Sequence, residues 1–236
     1  MAGIHRRKQR NVLMTEIEKT ESFPLDEQML EHRKRLAVFG GSFDPVHVGH
    51  LFIAGEVLRH NRADEVLFVP ARTPPHKPST ALLPAAVRLE MVRAAVAPYA
   101  GFSVSDLEIT AGRSADYTIE TMACLEGAFP DSEILFLMGM DSLNELHTWH
   151  RATELVTRYR ILIHGRAGVR PPPLADMASE FGPRNANRLA AGMLNTDSMP
   201  VSSTRIREYA RRGVCLAGLV PAEIEEIIHS RNLYRN

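Results

Sequence analysis

The sequence predicts an α/β fold, a doubly wound parallel sheet with helices on both faces, and three observations support this prediction. Short apolar runs typical of buried strands alternate along the chain with segments whose apolar residues recur at helical spacing. No internal repeat of fixed period is present, which argues against a solenoid. The chain has 236 residues, 44% of them hydrophobic, which is enough for one substantial core.

The first elements of this alternation are two strand and helix pairs. The run "LAVFGG" predicts a strand that ends in two glycines, and after a short turn "VGHLFIAGEVLRH" has helical spacing. The run "EVLFVPA" predicts a second strand, which a proline-rich loop separates from the helix "PAAVRLEMVRAAVA". Each strand therefore leads through a loop into a helix, as parallel sheets require.

The same alternation continues through the second half of the chain. The run "FSVSDLEI" precedes the helix "YTIETMACLEGAF", "EILFLMG" precedes the helical "DSLNELHTWHRATELV", and "RYRILIHG" is the next apolar run. Residues 165–199 give no clear assignment. The segment "VSSTRIREYARRG" then predicts a capped helix, and the proline-initiated "LVPAEIEEIIHSRNLY" predicts a last helix that closes the core.

Residues 1–34 are predicted to form a flexible N-terminal extension, and residues 35–236 a single domain. The extension combines a basic cluster from Arg6 to Arg10 with many further charges, and it has no strand signal. A nucleic-acid-binding or partner-binding arm is the alternative, but charged termini are usually solvated and mobile. We assign the extension no function.

Composition excludes several classes of protein. Lysine and arginine total 28 and aspartate and glutamate total 28, so the chain lacks the basic excess of a protein that coats nucleic acid. The two cysteines, Cys124 and Cys215, are far apart, which argues against a disulfide framework or a structural zinc cluster. No apolar stretch has the length of a signal peptide or membrane span, so we expect a cytoplasmic protein without a membrane partner.

The segment "GGSFDPVHVGH" has the features of a phosphate site. Gly40 and Gly41 let backbone amides approach an oxyanion without a Cβ in the way, and Ser42 and Asp44 can hold the turn. His47 and His50 then lie on the first turn of a helix, where two imidazole donors add to the positive helix end. Together these groups suit a polyphosphate.

Other interpretations of this segment remain open at this point. A histidine pair at this spacing can bind zinc, although no third ligand is evident, and polar residues can simply cap a turn. The sequence contains neither GxxxxGK[ST] nor GxGxxG, so two familiar nucleotide-binding motifs are absent. If phosphates bind here, they bind in another way.

Four segments together resemble one known family. "GGSFDPVHVGH" resembles the HxGH signature of the nucleotidylyltransferase superfamily, and "PARTPPHKP", "MGMDSLNELHTWH" and "VSSTRIR" resemble three further motifs of bacterial nicotinate mononucleotide adenylyltransferases. The order and spacing also agree, and the resemblance covers residues 35–235. Val201 replaces a usual isoleucine and His150 a frequent tyrosine. The resemblance implies a Rossmann-like fold of the HxGH type.

It also implies a reaction, in which the adenylyl group of ATP is transferred to nicotinate mononucleotide with release of pyrophosphate. His47, His50 and Lys77 would be catalytic. The residues expected to bind ATP are Gly40, Gly41, Ser42, Phe43, His47, His50, Ser203, Thr204 and Arg207. Those expected to bind nicotinate mononucleotide are Asp44, His76, Lys77, Thr118, Asp141, Trp149 and His150. Mg²⁺ is expected to accompany ATP without a metal site built from protein ligands.

Several of these assignments depend on the resemblance. By itself Lys77 is an ordinary exposed loop lysine and Trp149 a core aromatic. The segment at Ser203 is equally typical of a capped surface helix and of a helix start that faces a phosphate. Rival functions are adenylyl transfer to pantetheine phosphate, a class I aminoacyl-tRNA synthetase and a non-catalytic nucleotide sensor. The Trp149 segment disfavours the first, the lack of an RNA-binding module the second, and the retained His47 and His50 the third. A homo-oligomer stays open, and no nucleic-acid partner is expected.

Overall fold

A computed structural model of the chain describes residues 33–73, 82–110, 117–166, 168–195 and 199–235. The chain divides into two units, Met1–Arg33 and Lys34–Asn236. This division lies one residue from the predicted start of the domain at residue 35. Residues 1–34 are predicted to be flexible. All of them except Arg33 and Lys34 lie outside the described part of the chain, so this flexibility stays a prediction.

The second unit contains a parallel sheet of six strands in the order β3-β2-β1-β4-β5-β6. The strands are β1 (Lys34–Gly41), β2 (Glu65–Pro70), β3 (Phe102–Val104), β4 (Ser132–Gly139), β5 (Arg160–His164) and β6 (Met193–Leu194). The strand order reverses direction between β1 and β4, which is the doubly wound arrangement. The predicted fold class is confirmed.

Ten α-helices of the described residues surround this sheet. They are α1 (Val48–Arg59), α2 (Ala85–Val96), α3 (Leu107–Thr110), α4 (Thr118–Ala128), α5 (Met140–Glu145), α6 (Ala152–Arg158), α7 (Leu174–Phe181), α8 (Pro183–Ala191), α9 (Ser203–Arg211) and α10 (Ala222–Ser230). A 3₁₀ turn at Leu146–Thr148 separates α5 from α6.

The central strands bury both of their faces. In β1, Leu36 and Val38 pack into one apolar layer with α4, α6, α7 and α8, whereas Ala37 and Phe39 pack into a second layer with α1, α2, α9 and α10. Successive side chains of a strand point to opposite faces, so a strand covered on both sides needs a continuous apolar run. The sequence "LAVF" supplies that run.

Three segments differ from the sequence-based prediction. The strand at "FSVSDLEI" ends after Val104, and the residues that follow form the short helix α3. The single helix predicted over residues 141–156 is interrupted at Trp149, which is extended, and at Arg151, which has a left-handed φ of 53°. The unassigned residues 165–199 contain α7, α8 and the edge strand β6.

The reversal of strand order positions the site. β1 pairs with both β2 and β4, with Phe39 beside Leu137, so that the carboxyl ends of β1 and β4 are neighbours. The connections from these two strands run to opposite faces of the sheet, which leaves a crevice beyond their carboxyl ends. The glycines of "VFGG" lie at this crevice.

Candidate active site

A cavity of about 330 Å³ lies beyond the carboxyl ends of β1, β4 and β5. This volume is within the usual range for a small-molecule site. Its wall includes all nine residues that the sequence assigned to ATP: Gly40, Gly41, Ser42, Phe43, His47, His50, Ser203, Thr204 and Arg207. The structure therefore brings together two segments that are about 150 residues apart in sequence.

The two histidines cap helix α1 reciprocally. The backbone N–H of His50 donates to Nδ1 of His47 at 3.3 Å, and the backbone N–H of His47 donates to Nδ1 of His50 at 3.2 Å. The two rings are stacked, with centroids 3.6 Å apart. A Cβ at Gly49 would lie 3.1 Å from Cε1 and Nδ1 of His47, so glycine makes room for this ring.

This geometry determines which ring nitrogen carries a proton. A nitrogen that accepts a hydrogen bond has no proton, so in the neutral ring the proton is on Nε2. Burial lowers the pKa of His47 from 6.5 to about 4, and the positive charge of Arg166 acts in the same direction. Each histidine can therefore offer an Nε2–H donor to an oxyanion while its Nδ1 holds the helix cap.

The turn between β1 and α1 is tightly packed. Phe43 has a left-handed φ of 45°, and its ring lies 5.0 Å from the His50 ring and 5.6 Å from those of Phe39 and Phe68. A Cβ at Gly41 would lie 3.0 Å from Cζ of Phe43. The aromatic packing thus fixes the backbone of the turn and supports His50 from the side of the core.

Asp44 lies beneath the turn and not in the cavity wall. Its side chain is completely buried, and Oδ1 accepts a hydrogen bond of 2.8 Å from the Tyr234 hydroxyl. Among the described residues Oδ2 has no hydrogen-bond partner, although Nη1 of Arg207 is 4.0 Å away. The carboxylate has no access to the cavity in this conformation, so Asp44 is a buried anchor, and its assigned contact with the mononucleotide stays a prediction.

Helix α9 brings a second set of donors to the cavity. The side chain of Ser202 accepts a hydrogen bond from the backbone N–H of Arg205, so Ser202 is the N-cap. The hydroxyl of Ser203 donates to the carbonyl of Pro45 at 2.9 Å, and Arg207 donates to the carbonyl of Asp44 at 2.8 Å. These bonds attach the first turn of α9 to the turn that precedes α1.

The opposite wall contains two residues that the sequence-based prediction missed. Asp141, which was predicted, forms an ion pair with Arg166, and His164 lies beside them at the end of β5. Burial lowers the pKa of His164 to about 4, and its Nδ1 has no hydrogen-bond partner among the described residues. The sequence signal that could have found them is their position, because His164 ends the buried strand β5 and Arg166 follows it, at the edge of the sheet where ligands bind.

Besides Asp44, three of the residues predicted to bind the mononucleotide lie outside the cavity wall: Thr118, Trp149 and His150. Thr118 is the first residue of α4, and the ring of its neighbour Tyr117 lies 4.2 Å from that of His150. Trp149 is partly buried and makes an edge contact with Phe136, at 6.0 Å between ring centroids. The start of α4 and the segment after the 3₁₀ turn are therefore adjacent.

The remaining two predicted residues, His76 and Lys77, lie in residues 74–81, outside the described part of the chain.

The described residues contain no group of three or more histidine, cysteine or acidic side chains that could hold a metal ion. Asp141 is the one carboxylate in the described cavity wall. Within the same described ranges, no helix has both the length and the apolar character needed to cross a membrane.

Comparison with known families and proteins gives a consistent result. Residues 38–209 match the family described as cytidylyltransferase-like. A nicotinate-nucleotide adenylyltransferase of Geobacter sp. (strain M21) is 38% identical over 214 residues, which cover 85% of this chain and 98% of that protein. One from Clostridium perfringens (strain SM101 / Type A) is 34% identical over 202 residues, 86% of this chain and 98% of the relative.

Solved structures show the same fold at lower identity. The nicotinic acid mononucleotide adenylyltransferase of Plasmodium falciparum, complexed with NaAD, superposes with a TM-score of 0.68 at 18% identity. The match covers 85% of this chain and 97% of that one. A nicotinate-nucleotide adenylyltransferase structure from Vibrio parahaemolyticus gives a TM-score of 0.61 at 20% identity, over 86% and 96% of the two chains.

Proposed function

The chain belongs to the cytidylyltransferase-like family and, within it, groups with the nicotinate-nucleotide adenylyltransferases, and from this membership we propose that it is the enzyme that transfers the adenylyl group of ATP to nicotinate mononucleotide. The products are nicotinate adenine dinucleotide and pyrophosphate, and the reaction belongs to NAD biosynthesis. The observation that best supports this function is the reciprocal cap of His47 and His50 in a cavity shared with α9.

ATP would occupy the cavity with its phosphates between the two helix starts. The amides at Gly40 and Gly41, the Nε2–H groups of His47 and His50 and the guanidinium of Arg207 are all hydrogen-bond donors on its wall. Positive helix ends and a guanidinium favour a polyphosphate. Ser203 and Thr204 add hydroxyl groups at the start of α9.

Adenylyl transfer needs no covalent enzyme intermediate. A phosphate oxygen of nicotinate mononucleotide attacks the α-phosphorus of ATP, and the bond from that phosphorus to the bridging oxygen breaks as the new bond forms. Pyrophosphate leaves with the electron pair of the broken bond. Catalysis then consists of positioning the two nucleotides and stabilising charge on the transferring group and the leaving oxygens.

His47 and His50 suit this role because they donate as neutral rings. Imidazoles that hold their protons on Nε2 can donate to phosphate oxygens throughout the reaction without releasing a proton. A protonated ring would have N–H groups on both nitrogens and would lose its bond to the helix N–H. Lys77 would add a positive charge from the proline-rich loop, as the sequence predicts.

Mg²⁺ is proposed to accompany ATP. Asp141 is the one carboxylate of the described wall, and it is paired with Arg166, so the ATP phosphates and water would supply most of the magnesium ligands. When bound, the ion would neutralise charge on the phosphates. The cytoplasmic location, the absence of a nucleic-acid partner and the oligomeric state stay predictions.

Nicotinate mononucleotide would bind beside the start of α4. The N-cap residue of this helix, Tyr117, makes no side-chain hydrogen bond to the helix, which leaves backbone N–H groups of the first turn for an anion. Thr118 and the backbone at His150 would bind the nicotinate carboxylate, Trp149 would stack on its ring, and Asp141 would bind the ribose. His76 would bind from the proline-rich loop. Asp44 would contribute to the same site indirectly, because its buried carboxylate lies beneath the turn and accepts a hydrogen bond from Tyr234.

The direct test is turnover by the purified protein. ATP, Mg²⁺ and nicotinate mononucleotide are supplied, and pyrophosphate release and the dinucleotide product are measured together. Omission of the mononucleotide controls for ATP hydrolysis, and pantetheine phosphate tests the rival acceptor. Formation of the dinucleotide with an equal amount of pyrophosphate is expected. Pyrophosphate without dinucleotide, or product with pantetheine phosphate alone, would contradict the proposed substrate.

A further inference from the structure

Arg88 is a completely buried arginine that binds three separate parts of the backbone. It lies on α2 and is 1% exposed. Its Nε donates to the carbonyl of Leu83 at 2.9 Å, Nη1 to that of Ser42 at 2.7 Å and Nη2 to that of Arg72 at 2.9 Å. Each of the three guanidinium nitrogens therefore donates a hydrogen bond to a different carbonyl.

The three carbonyls lie close in sequence to the residues predicted to be catalytic. Ser42 is in the cavity wall, in the turn that leads to His47 and His50. Arg72 and Leu83 are on either side, in sequence, of the segment that carries His76 and Lys77. One side chain thus joins the backbone at Arg72 and at Leu83 to the turn that precedes α1.

We propose that Arg88 is a positioning residue for adenylyl transfer, which holds the turn at Ser42 and the backbone at Arg72 and Leu83 in a fixed relative arrangement. This inference rests on the proposed function. Arg88 touches no substrate, because its side chain is buried and it is not in the cavity wall. Its effect would be transmitted by the placement of groups that do touch the phosphates.

The chemistry of the side chain supports a positioning role. Burial lowers the pKa of Arg88, and the nearby carboxylate of Asp44 acts against this shift. A buried cation is costly unless all of its donors are bonded, and a planar fork can reach three fixed carbonyls at once. A lysine has a single nitrogen and a different shape, so it cannot hold the same three groups.

The chain contains a matched control for this arrangement. Arg188, on α8, also donates to three carbonyls, those of Val156, Thr157 and Tyr159. These carbonyls join α6 to β5 on the side of the sheet away from helix α2, and none of the three residues lines the cavity. Arg188→Ala removes a comparable set of bonds outside the proposed site.

The experiment compares Arg88→Ala, Arg88→Lys and Arg188→Ala with the unmodified chain. Calorimetric titration with ATP gives the Kd and the fraction of molecules that bind ATP, and thermal unfolding gives the stability. The kcat is measured well below the Tm and calculated per ATP-binding site. Both Arg88 variants are expected to lose about 100-fold in kcat, the scale of a displacement of about 1 Å. The Kd for ATP should change less than about threefold, because α9 and the glycines still hold the phosphates. Arg188→Ala should keep its kcat.

Guanidinium at millimolar concentration adds a second readout, because it can enter the space left in Arg88→Ala but not in Arg88→Lys. Partial recovery of kcat in the alanine variant alone is expected. Equal kcat per competent site in Arg88→Ala and the unmodified chain, or an equal loss of kcat in Arg188→Ala, would overturn the positioning role. Absence of turnover by the unmodified chain would instead contradict the proposed function.

Discussion

His47 and His50 each accept the backbone N–H of the other through Nδ1, so the two rings and the start of α1 form one hydrogen-bonded unit. The arrangement has a structural task, which is to cap the helix, and it places the proton of each neutral ring on Nε2, the nitrogen that would donate to a ligand. The two tasks use different nitrogens of the same ring. They can therefore be separated by substitution.

Replacement of His50 tests this separation. The side-chain oxygen of asparagine can replace Nδ1 as the acceptor at the cap, whereas the amide of glutamine can place an N–H group near the position of Nε2. His50→Asn is expected to keep a Tm close to that of the unmodified chain and to lose at least about 100-fold in kcat, the scale of losing one charge-stabilising donor. His50→Gln should retain more activity than His50→Asn.

His50→Ala is the reference for these two variants, since it removes both the acceptor and the donor. It should lose both stability and kcat, and stability, kcat and KM are measured for all three. Near-normal turnover in a folded His50→Ala or His50→Asn protein would show that the Nε2–H group does not act on the transition state.

The stability of the chain should fall as the pH is lowered from about 6.5 to about 4. Burial lowers the pKa values of His47 and His164 to about 4, so in this window the unfolded chain binds protons that the folded chain does not. Each group then contributes a slope on the order of 1 kcal/mol per pH unit. Above about 6.5 both histidines are neutral in both states, and the slope vanishes.

Urea unfolding across this pH range, with His164→Leu beside the unmodified chain, measures the contribution of His164. The variant should lose less stability on acidification. The exposed His147 provides the control, because His147→Leu should keep the slope of the unmodified chain. Parallel curves for His164→Leu and the unmodified chain would contradict the neutral, buried state of His164.

The predicted site residues that the structure brings into one cavity are those with local signals in the sequence. The glycines, the histidine spacing and the helix start at Ser203 are all encoded within a few residues, and the parallel sheet implied that they would meet at one edge. Arg88, Arg166 and Tyr234 gave no local signal. Each of them forms its hydrogen bond or ion pair with a residue far away in sequence; the Tyr234 hydroxyl, for example, donates to Asp44. The helical pattern also gave no sign of the break at Trp149, whose ring contacts Phe136 of β4.

The bond from Tyr234 to Asp44 should contribute measurably to stability. Tyr234→Phe would leave both oxygens of a completely buried carboxylate without a hydrogen-bond partner among the described residues, at a cost of about 1–3 kcal/mol. The change in the free energy of unfolding is measured with urea. Tyr99→Phe is the control, since Tyr99 is exposed and its replacement should stay within about 0.5 kcal/mol.

The same variant should also weaken ATP binding, because the carbonyl of Asp44 accepts the bond that holds Arg207. A rise of several-fold in the KM for ATP is expected in Tyr234→Phe and no rise in Tyr99→Phe. If Tyr234→Phe were as stable as Tyr99→Phe, the buried hydrogen bond would have no energetic role.

Deletion of residues 1–31 should leave a folded and active protein. The first described strand is fixed by its own contacts, in which the Arg35 side chain donates to the carboxylate of Asp64 and to Asn61. The deleted segment is highly charged and gives no strand signal. The Tm and kcat of the shortened protein are expected to match those of the full chain. Loss of solubility or turnover would show that the segment belongs to the core or to an assembly.

The choice between the acid and amide forms of the pyridine nucleotide depends on hydrogen-bond polarity. A carboxylate and a carboxamide are nearly the same size, so the shape of the pocket separates them poorly. The first turn of α4 offers backbone N–H groups and the hydroxyl of Thr118, all of which can donate. The NH₂ group of an amide would face these donors and remain unpaired.

Nicotinate mononucleotide should therefore be preferred over nicotinamide mononucleotide by about 100-fold or more in kcat/KM, since each unpaired contact costs about 1–3 kcal/mol. Thr118→Val, which keeps the shape of the side chain but removes the hydroxyl, should reduce this preference. Trp149→Ala should weaken both substrates equally, because stacking is indifferent to the substituent, and Trp149→Phe should restore most of the loss. Steady-state kinetics with both nucleotides measures each effect. Equal kcat/KM for the two nucleotides with the unmodified chain would refute the donor-only pocket and leave adenylyl transfer itself untouched.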